Sequence, residues 1–137
     1  MYTIEIIPRY QETDQMGVIH HSVYPIYYEQ ARVALCDYIE LPYHKIESLG
    51  LRQAMLNMKV NYHKPVRFGE KYRLTISIAK AGKVKLVFQY EMVDKNNQVV
   101  NTGETLLAWL DQDLKPINIA KSHPDIYKKI KHYEQSK

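Results

Sequence analysis

The stretch Tyr-Gln-Glu-Thr-Asp-Gln-Met-Gly-Val-Ile-His-His-Ser-Val-Tyr-Pro-Ile-Tyr-Tyr-Glu-Gln-Ala-Arg, residues 10 to 32, begins as a polar loop and passes into a segment with apolar residues at helical spacing. Asp14 and Gly17 fall in the loop, just before the helix. The first N–H groups of a helix have no intrahelical partner and share the positive end of its dipole. A carboxylate beside such donors can activate water, or attack, while the donors take up charge on a substrate carbonyl. The same residues also serve an ordinary turn, with Asp14 capping it and Gly17 supplying a positive φ. The spacing alone leaves both readings open.

Working outward, Ser22 is a plausible helix cap and Pro25 falls in the first turn, where a missing N–H costs little. Tyr24, Tyr27, Ala31, Ala34 and Tyr38 recur at three- and four-residue spacing, and Tyr28, Leu35 and Ile39 widen the stripe. The pattern predicts a helix over 22–40, about 30 Å long at ~1.5 Å per residue and buried on several sides. Glu29 and Arg32 interrupt it and at i,i+3 can pair with each other.

Upstream, Tyr2, Ile4 and Ile6 alternate with polar residues and predict a first strand over 2–10, kept from the sheet centre by Pro8. Downstream, Leu41-Pro42 ends the helix and 43–50 predicts a short turn closed by Gly50. Four alternating runs follow. Ala54, Leu56, Met58, Val60 and Tyr62 share one face of the first; Tyr72, Leu74, Ile76 and Ile78 one face of the second; Val84, Leu86, Phe88, Tyr90 and Met92 one face of the third. The last, Val99 to Leu110, is apolar on both faces near its end, and Ala81-Gly82 and Asn96-Asn97 read as hairpin turns. This order predicts an α+β domain over 1–137, an antiparallel five-stranded sheet wrapped around a long central helix. The sheet's other face is expected against solvent or a second subunit, and the doubly apolar last strand favours the subunit.

Composition narrows the function. With 137 residues, 45% hydrophobic and 25% charged, the chain reads as one ordinary domain with a real core. Nineteen Lys and Arg against fifteen Asp and Glu suit an anionic small ligand, but are too few and too dispersed for nucleic acid. Glu5, Pro8 and Arg9 interrupt any leader, and no run is long enough to span a membrane, so the expected location is cytoplasmic. Twelve tyrosines against two phenylalanines predict rings lining an interface or pocket, since each hydroxyl needs a partner or water. Cys36 reads as a small buried hydrophobe. The adjacent His20 and His21 lack a helix-spaced partner, so neither metal nor cofactor is expected.

Tyr10, Thr13-Asp14, Gly17-Val18-Ile19, His21, Tyr24, Tyr28-Glu29 and Ala31-Arg32 together resemble the signature of the hot-dog-fold acyl-CoA thioesterases, in their 4-hydroxybenzoyl-CoA thioesterase-like branch and nearest its bacterial acyl-CoA thioester hydrolases. The order of elements extends that resemblance over most of the chain. It implies the hot-dog fold, hydrolysis of an acyl-CoA thioester, and a homodimer or dimer of dimers with sites between subunits. It also implies catalytic positions at Asp14, Gly17, His21, Tyr24 and Glu29: Asp14 as general base or nucleophile, the His21 backbone N–H polarising the thioester carbonyl, and Glu29 orienting water or Asp14 as the alternative to pairing with Arg32. The segment Asn61 to Glu70 resembles a second motif of the family, beside the coenzyme A path, which makes Lys64 and Arg67 candidates for its phosphates. Val23 departs from the small amide or hydroxyl residue common before Tyr24. The rival readings are a non-catalytic acyl-CoA or acyl-carrier binding module on the same fold, a hot-dog dehydratase or hydratase, and a tyrosine-rich interaction protein.

Overall fold

The computed structural model of the chain describes residues 1–135; Ser136 and Lys137, the end of the expected 1–137 domain, lie outside them. Five strands form one antiparallel sheet: β1 Tyr2–Ile6, β2 Arg52–Tyr62, β3 Tyr72–Ala81, β4 Lys85–Val93 and β5 Val99–Leu110, in the spatial order β1-β3-β4-β5-β2. Helix α1, Tyr24–Tyr38, lies on its inner face and leads into α2, Tyr43–Ser48; α3, Ile119–Ser122, and α4, Pro124–His132, follow the last strand.

β1 stops short of residue 10 because Pro8 has no N–H for a ladder and the chain then turns through a 3-10 turn at Tyr10–Glu12. It sits at the sheet edge, away from the centre as expected. The helix starts later than Ser22. His21–Val23 form a 3-10 turn whose cap is the His20 ring, with Nδ1 accepting from the Ser22 N–H at 3.2 Å. With 15 residues, α1 is about 22 Å long rather than 30. In β2, a register shift between Met55 and Asn57 breaks the expected single face, and Leu56 at the bulge is 50% exposed.

Tyr24, Tyr27, Tyr28, Ala31, Leu35 and Cys36 of α1 are buried with the inward residues of the sheet, among them Leu74, Ile76, Phe88, Met92 and Trp109. Ile26, Val33 and Tyr38 remain exposed, so the helix buries one broad stripe rather than several sides. Arg32, which reads as a polar interruption, lies inside that stripe at 6% exposure.

The tyrosines depart most from expectation. Whereas Tyr24, also buried, and Tyr62 line a hollow as expected, Tyr27, Tyr28, Tyr72 and Tyr90 are core rings. The core accepts them because hydroxyl partners are supplied within it. Tyr28 donates to Asn101 Oδ1, the Tyr90 and Thr105 hydroxyls lie 2.7 Å apart, and Arg32 Nη1 donates to the Tyr90 oxygen at 3.0 Å. The Tyr28 and Tyr90 rings stack with centroids 4.1 Å apart, and Gly103 leaves the room Tyr28 occupies: a Cβ there would come within 2.4 Å of the ring. Across its middle the sheet's outer face carries Thr75, Ser77, Gln89, Glu91, Thr102 and Glu104, a polar surface.

Candidate active site

The loop from Arg9 to His20 is a closed structure fastened to its surroundings. Asp14 N–H donates to Val18 O at 2.8 Å, Gly17 N–H to Asp14 O at 3.2 Å, and Ile19 N–H to Val66 O at 2.8 Å. Gly17 has φ +78 with open space where a Cβ would sit, so its requirement is conformational, not steric. The Asp14 side chain turns back over its own loop. Oδ1 accepts from the Met16 N–H at 2.8 Å and the Val18 N–H at 3.3 Å. Both bonds fall on one oxygen, so Oδ2 takes no hydrogen bond from the described residues. The turn reading and the catalytic reading of Asp14 are therefore compatible, because the turn uses half of the carboxylate.

Asp14 is half-buried and lines a hollow of about 350 Å³ together with Met16, Val18, Ile19, His21, Tyr24, Tyr62, His63, Lys64 and Pro65. His21 opens the 3-10 turn ahead of α1, and as the first residue of that turn its N–H has no acceptor within it. The hollow thus brings a carboxylate with one oxygen unbonded among the described residues beside the first residue of a helical turn. Tyr24 forms its aromatic wall, edge-on to Tyr62 with ring centroids 5.0 Å apart. Burial, with the neighbouring Tyr62, pushes the Tyr24 phenol up to about 12, so it holds its proton at neutral pH.

The structure brings Asp14, His21, Tyr24 and Lys64 to one hollow, with Gly17 in the loop that shapes it. The Lys64 ammonium reaches Gln98 Oε1, a neutral partner, with the Asp94 carboxylate near enough to feel its charge. Arg67 does not line this hollow; its main chain pairs with Val18 and its N–H donates to the Tyr72 hydroxyl at 3.0 Å, while its side chain is exposed. Glu29 lies elsewhere. It is exposed on a second hollow, of about 340 Å³, shared with Arg32, Tyr43, Ile46, Leu51, Met55 and Leu107. No ion pair joins Glu29 to Arg32 among the described residues, because Arg32 turns into the core toward Tyr90. No cluster of three His, Cys, Asp or Glu side chains suited to a metal is found among the described residues.

Two residues of the site are not legible from their local sequence. Tyr62, which reads simply as a strand residue, donates its hydroxyl to the His21 carbonyl at 2.9 Å and so ties the end of β2 to the helical start. Glu12 is only 7% exposed. Its Oε1 accepts from the Arg9 N–H and from the Tyr27 hydroxyl, both at 2.8 Å, and its Oε2 accepts from Arg9 Nε at 3.2 Å. Burial pushes the Glu12 carboxyl up, but these donors and the Arg9 charge outweigh it and leave the group below the ordinary carboxylate value. The signal for Tyr62 was its place at the end of a strand, and for Glu12 an acidic residue three positions after Arg9; neither states a partner.

Residues 8–130 match the family model described as the thioesterase-like superfamily. The chain is 26% identical over 114 residues to the acyl-CoA thioester hydrolase YbgC of Escherichia coli, covering 82% of this chain and 85% of that one. Among solved structures it is similar to a DHNA-CoA thioesterase of Staphylococcus aureus, with TM-score 0.90 and 30% identity over 95% of this chain and 88% of that chain. It is also similar to the hypothetical protein TT1821 of Thermus thermophilus, with TM-score 0.89 and 31% identity over 96% and 98% of the two chains. The α+β architecture is the hot-dog fold.

Proposed function

The chain belongs to the thioesterase-like superfamily and at that level is a thioester hydrolase, and on that premise we propose that it cleaves acyl-CoA thioesters at the Asp14 hollow. The observation that carries this reading is the half-engaged Asp14 carboxylate sharing a hollow with the His21 main chain.

In this reading the acyl carbonyl lies against the His21 N–H. Addition at the carbonyl carbon makes its oxygen negative, and a donor already in place there stabilises that charge without reorganisation. Asp14 supplies the addition, either by taking a proton from the attacking water or by attacking through Oδ2 to form an acyl anhydride that water then opens. In both routes the C–S bond breaks and the CoA thiolate leaves, taking up a proton to give free CoA and the free acid. Tyr24, neutral at pH 7, closes one side of the site, and Gly17 sets the loop path. Lys64 at the rim takes the CoA phosphates, with Arg67 further along the same connection. Glu29, on the second hollow, contributes from a distance in a single chain, or to the site of a neighbouring subunit in a homodimer or dimer of dimers. The reading places this single domain in the cytoplasm.

The test is thiol release from short and long aliphatic, benzoyl and phenylacetyl CoA thioesters, by wild type and Asp14→Asn side by side. Wild-type turnover with a loss of about 10²- to 10⁴-fold in the variant is expected. Equal rates would remove Asp14 from the mechanism. Acyl-CoA binding without turnover by wild type would favour the non-catalytic binding module. Light scattering reads the oligomeric state on the same samples.

A further inference from the structure

We infer that Glu12 is a positioning residue for the Asp14 loop and works through Tyr27 of α1, an inference that rests on the reading of Asp14 as the reacting carboxylate. Glu12 joins three separate pieces of chain. Its carboxylate holds the start of the loop through the Arg9 N–H and Arg9 Nε, and holds the helix through the Tyr27 hydroxyl. Its own main-chain carbonyl accepts from the His20 N–H at 2.9 Å, which fastens the end of the loop. Asp14 and Gly17 lie between those two fastenings, and His21 follows directly after the second.

The carboxylate cannot itself meet substrate. It is 7% exposed, does not line the Asp14 hollow, and both of its oxygens are engaged within the protein. Stability alone does not call for a charge here, since a buried ionic group is commonly matched or bettered by a well-packed apolar one. What the carboxylate supplies is direction: three donors converge on it from the loop and the helix, so Asp14 and the His21 N–H are held in one register. A displacement of about 1 Å of a reacting group can cost on the order of 10²-fold in rate, which is the scale at which a loose loop would be felt.

Steady-state kinetics of Glu12→Ala, Glu12→Gln, Tyr27→Phe and the double variant Glu12→Ala/Tyr27→Phe test this, using the best-turned-over CoA thioester of the panel, well below each variant's melting temperature. Glu12→Ala is expected to lower kcat about 10- to 100-fold with KM within about threefold, Tyr27→Phe about fivefold, and the double variant no further than Glu12→Ala. Gln keeps an oxygen for the Arg9 amide and Tyr27, so Glu12→Gln is expected to recover most of the loss. A merely structural role would give a loss proportional to the unfolded fraction, or a rise in KM, with no such order among the variants. Folded Glu12→Ala and Tyr27→Phe at wild-type kcat, or losses that multiply in the double variant, would overturn the inference. If Glu12→Ala does not fold, Tyr27→Phe and Glu12→Gln decide it, because each changes one polar group. An active Asp14→Asn would sink the functional reading, whereas an inactive Asp14→Asn beside wild-type rates in the Glu12 and Tyr27 variants would sink this inference alone.

Discussion

Gly103→Ala places a methyl group where Tyr28 already is. The added Cβ would lie 2.4 Å from Tyr28 Cε2 and Oη and 2.6 Å from Cζ, against an ordinary contact of 3.4 Å or more, so the ring must move by about 1 Å. It has nowhere to go. Tyr28 is 0% exposed, its ring stacks on Tyr90 at 4.1 Å, and its hydroxyl is the donor to Asn101 Oδ1. Overpacking costs about 1–3 kcal/mol, and leaving the buried Asn101 oxygen unpaired a further 1–3 kcal/mol. We expect a loss of about 3 kcal/mol, a large share of the ~5–15 kcal/mol of a typical domain, and a fall in melting temperature on the order of 10 °C. Urea and thermal unfolding followed by circular dichroism measure it. Tyr28→Phe removes one of the two shortest contacts together with the hydrogen bond, so the double variant should lose about 1 kcal/mol less than the sum of the singles. Stability of Gly103→Ala within about 0.5 kcal/mol of wild type, or strict additivity, would refute the reasoning.

Further outcomes follow from the titrating groups. Burial, with Asp37 nearby, pushes the Cys36 thiol up to about 12, so at pH 8 only about one molecule in 10⁴ carries the thiolate, against roughly one in four for a free thiol. Iodoacetamide should therefore leave the native protein unmodified over a time that fully labels it in urea, and mass spectrometry reads the difference; rapid native labelling would contradict the buried placement. Glu12 has a folded-state pKa below its ordinary 4.5, so the stability it contributes is complete above that value and is lost as pH falls through the folded value. Denaturant midpoints between pH 6 and pH 3 should fall more steeply for wild type than for Glu12→Gln, and parallel curves would mean the carboxylate is not held as described.

How much of this was legible depended on how far apart the deciding residues lie. The strands from Tyr72 to Met92 could be read because their alternation is a property of consecutive residues, and the structure keeps Tyr72, Leu74, Ile76, Ile78, Leu86, Phe88, Tyr90 and Met92 inward. β2 misled because a bulge at Met55–Asn57 adds a residue to one strand only, which an alternation written over one strand cannot register. The tyrosines misled for a related reason. A phenol is expected at a wet boundary unless something buried accepts or donates to it, and the partners Glu12, Asn101 and Thr105 lie 15, 73 and 15 residues from the rings they satisfy.

The sequence by itself determined the order of the five strands and the long helix and the coincidence of Asp14, Gly17 and His21 with the start of that helix, since period, turn chemistry and capping are decided within a few residues. Only the tertiary structure decided which side chains share the hollow with Asp14. Tyr62, His63 and Lys64 arrive there, and Glu29 does not, because strand pairing and the path of the 62–67 connection set those distances. It also decided that Arg32 and Glu12 are interior charges. Whether a charge is solvated or held by converging donors depends on what the rest of the fold places around it, and residues near it in the chain do not report that.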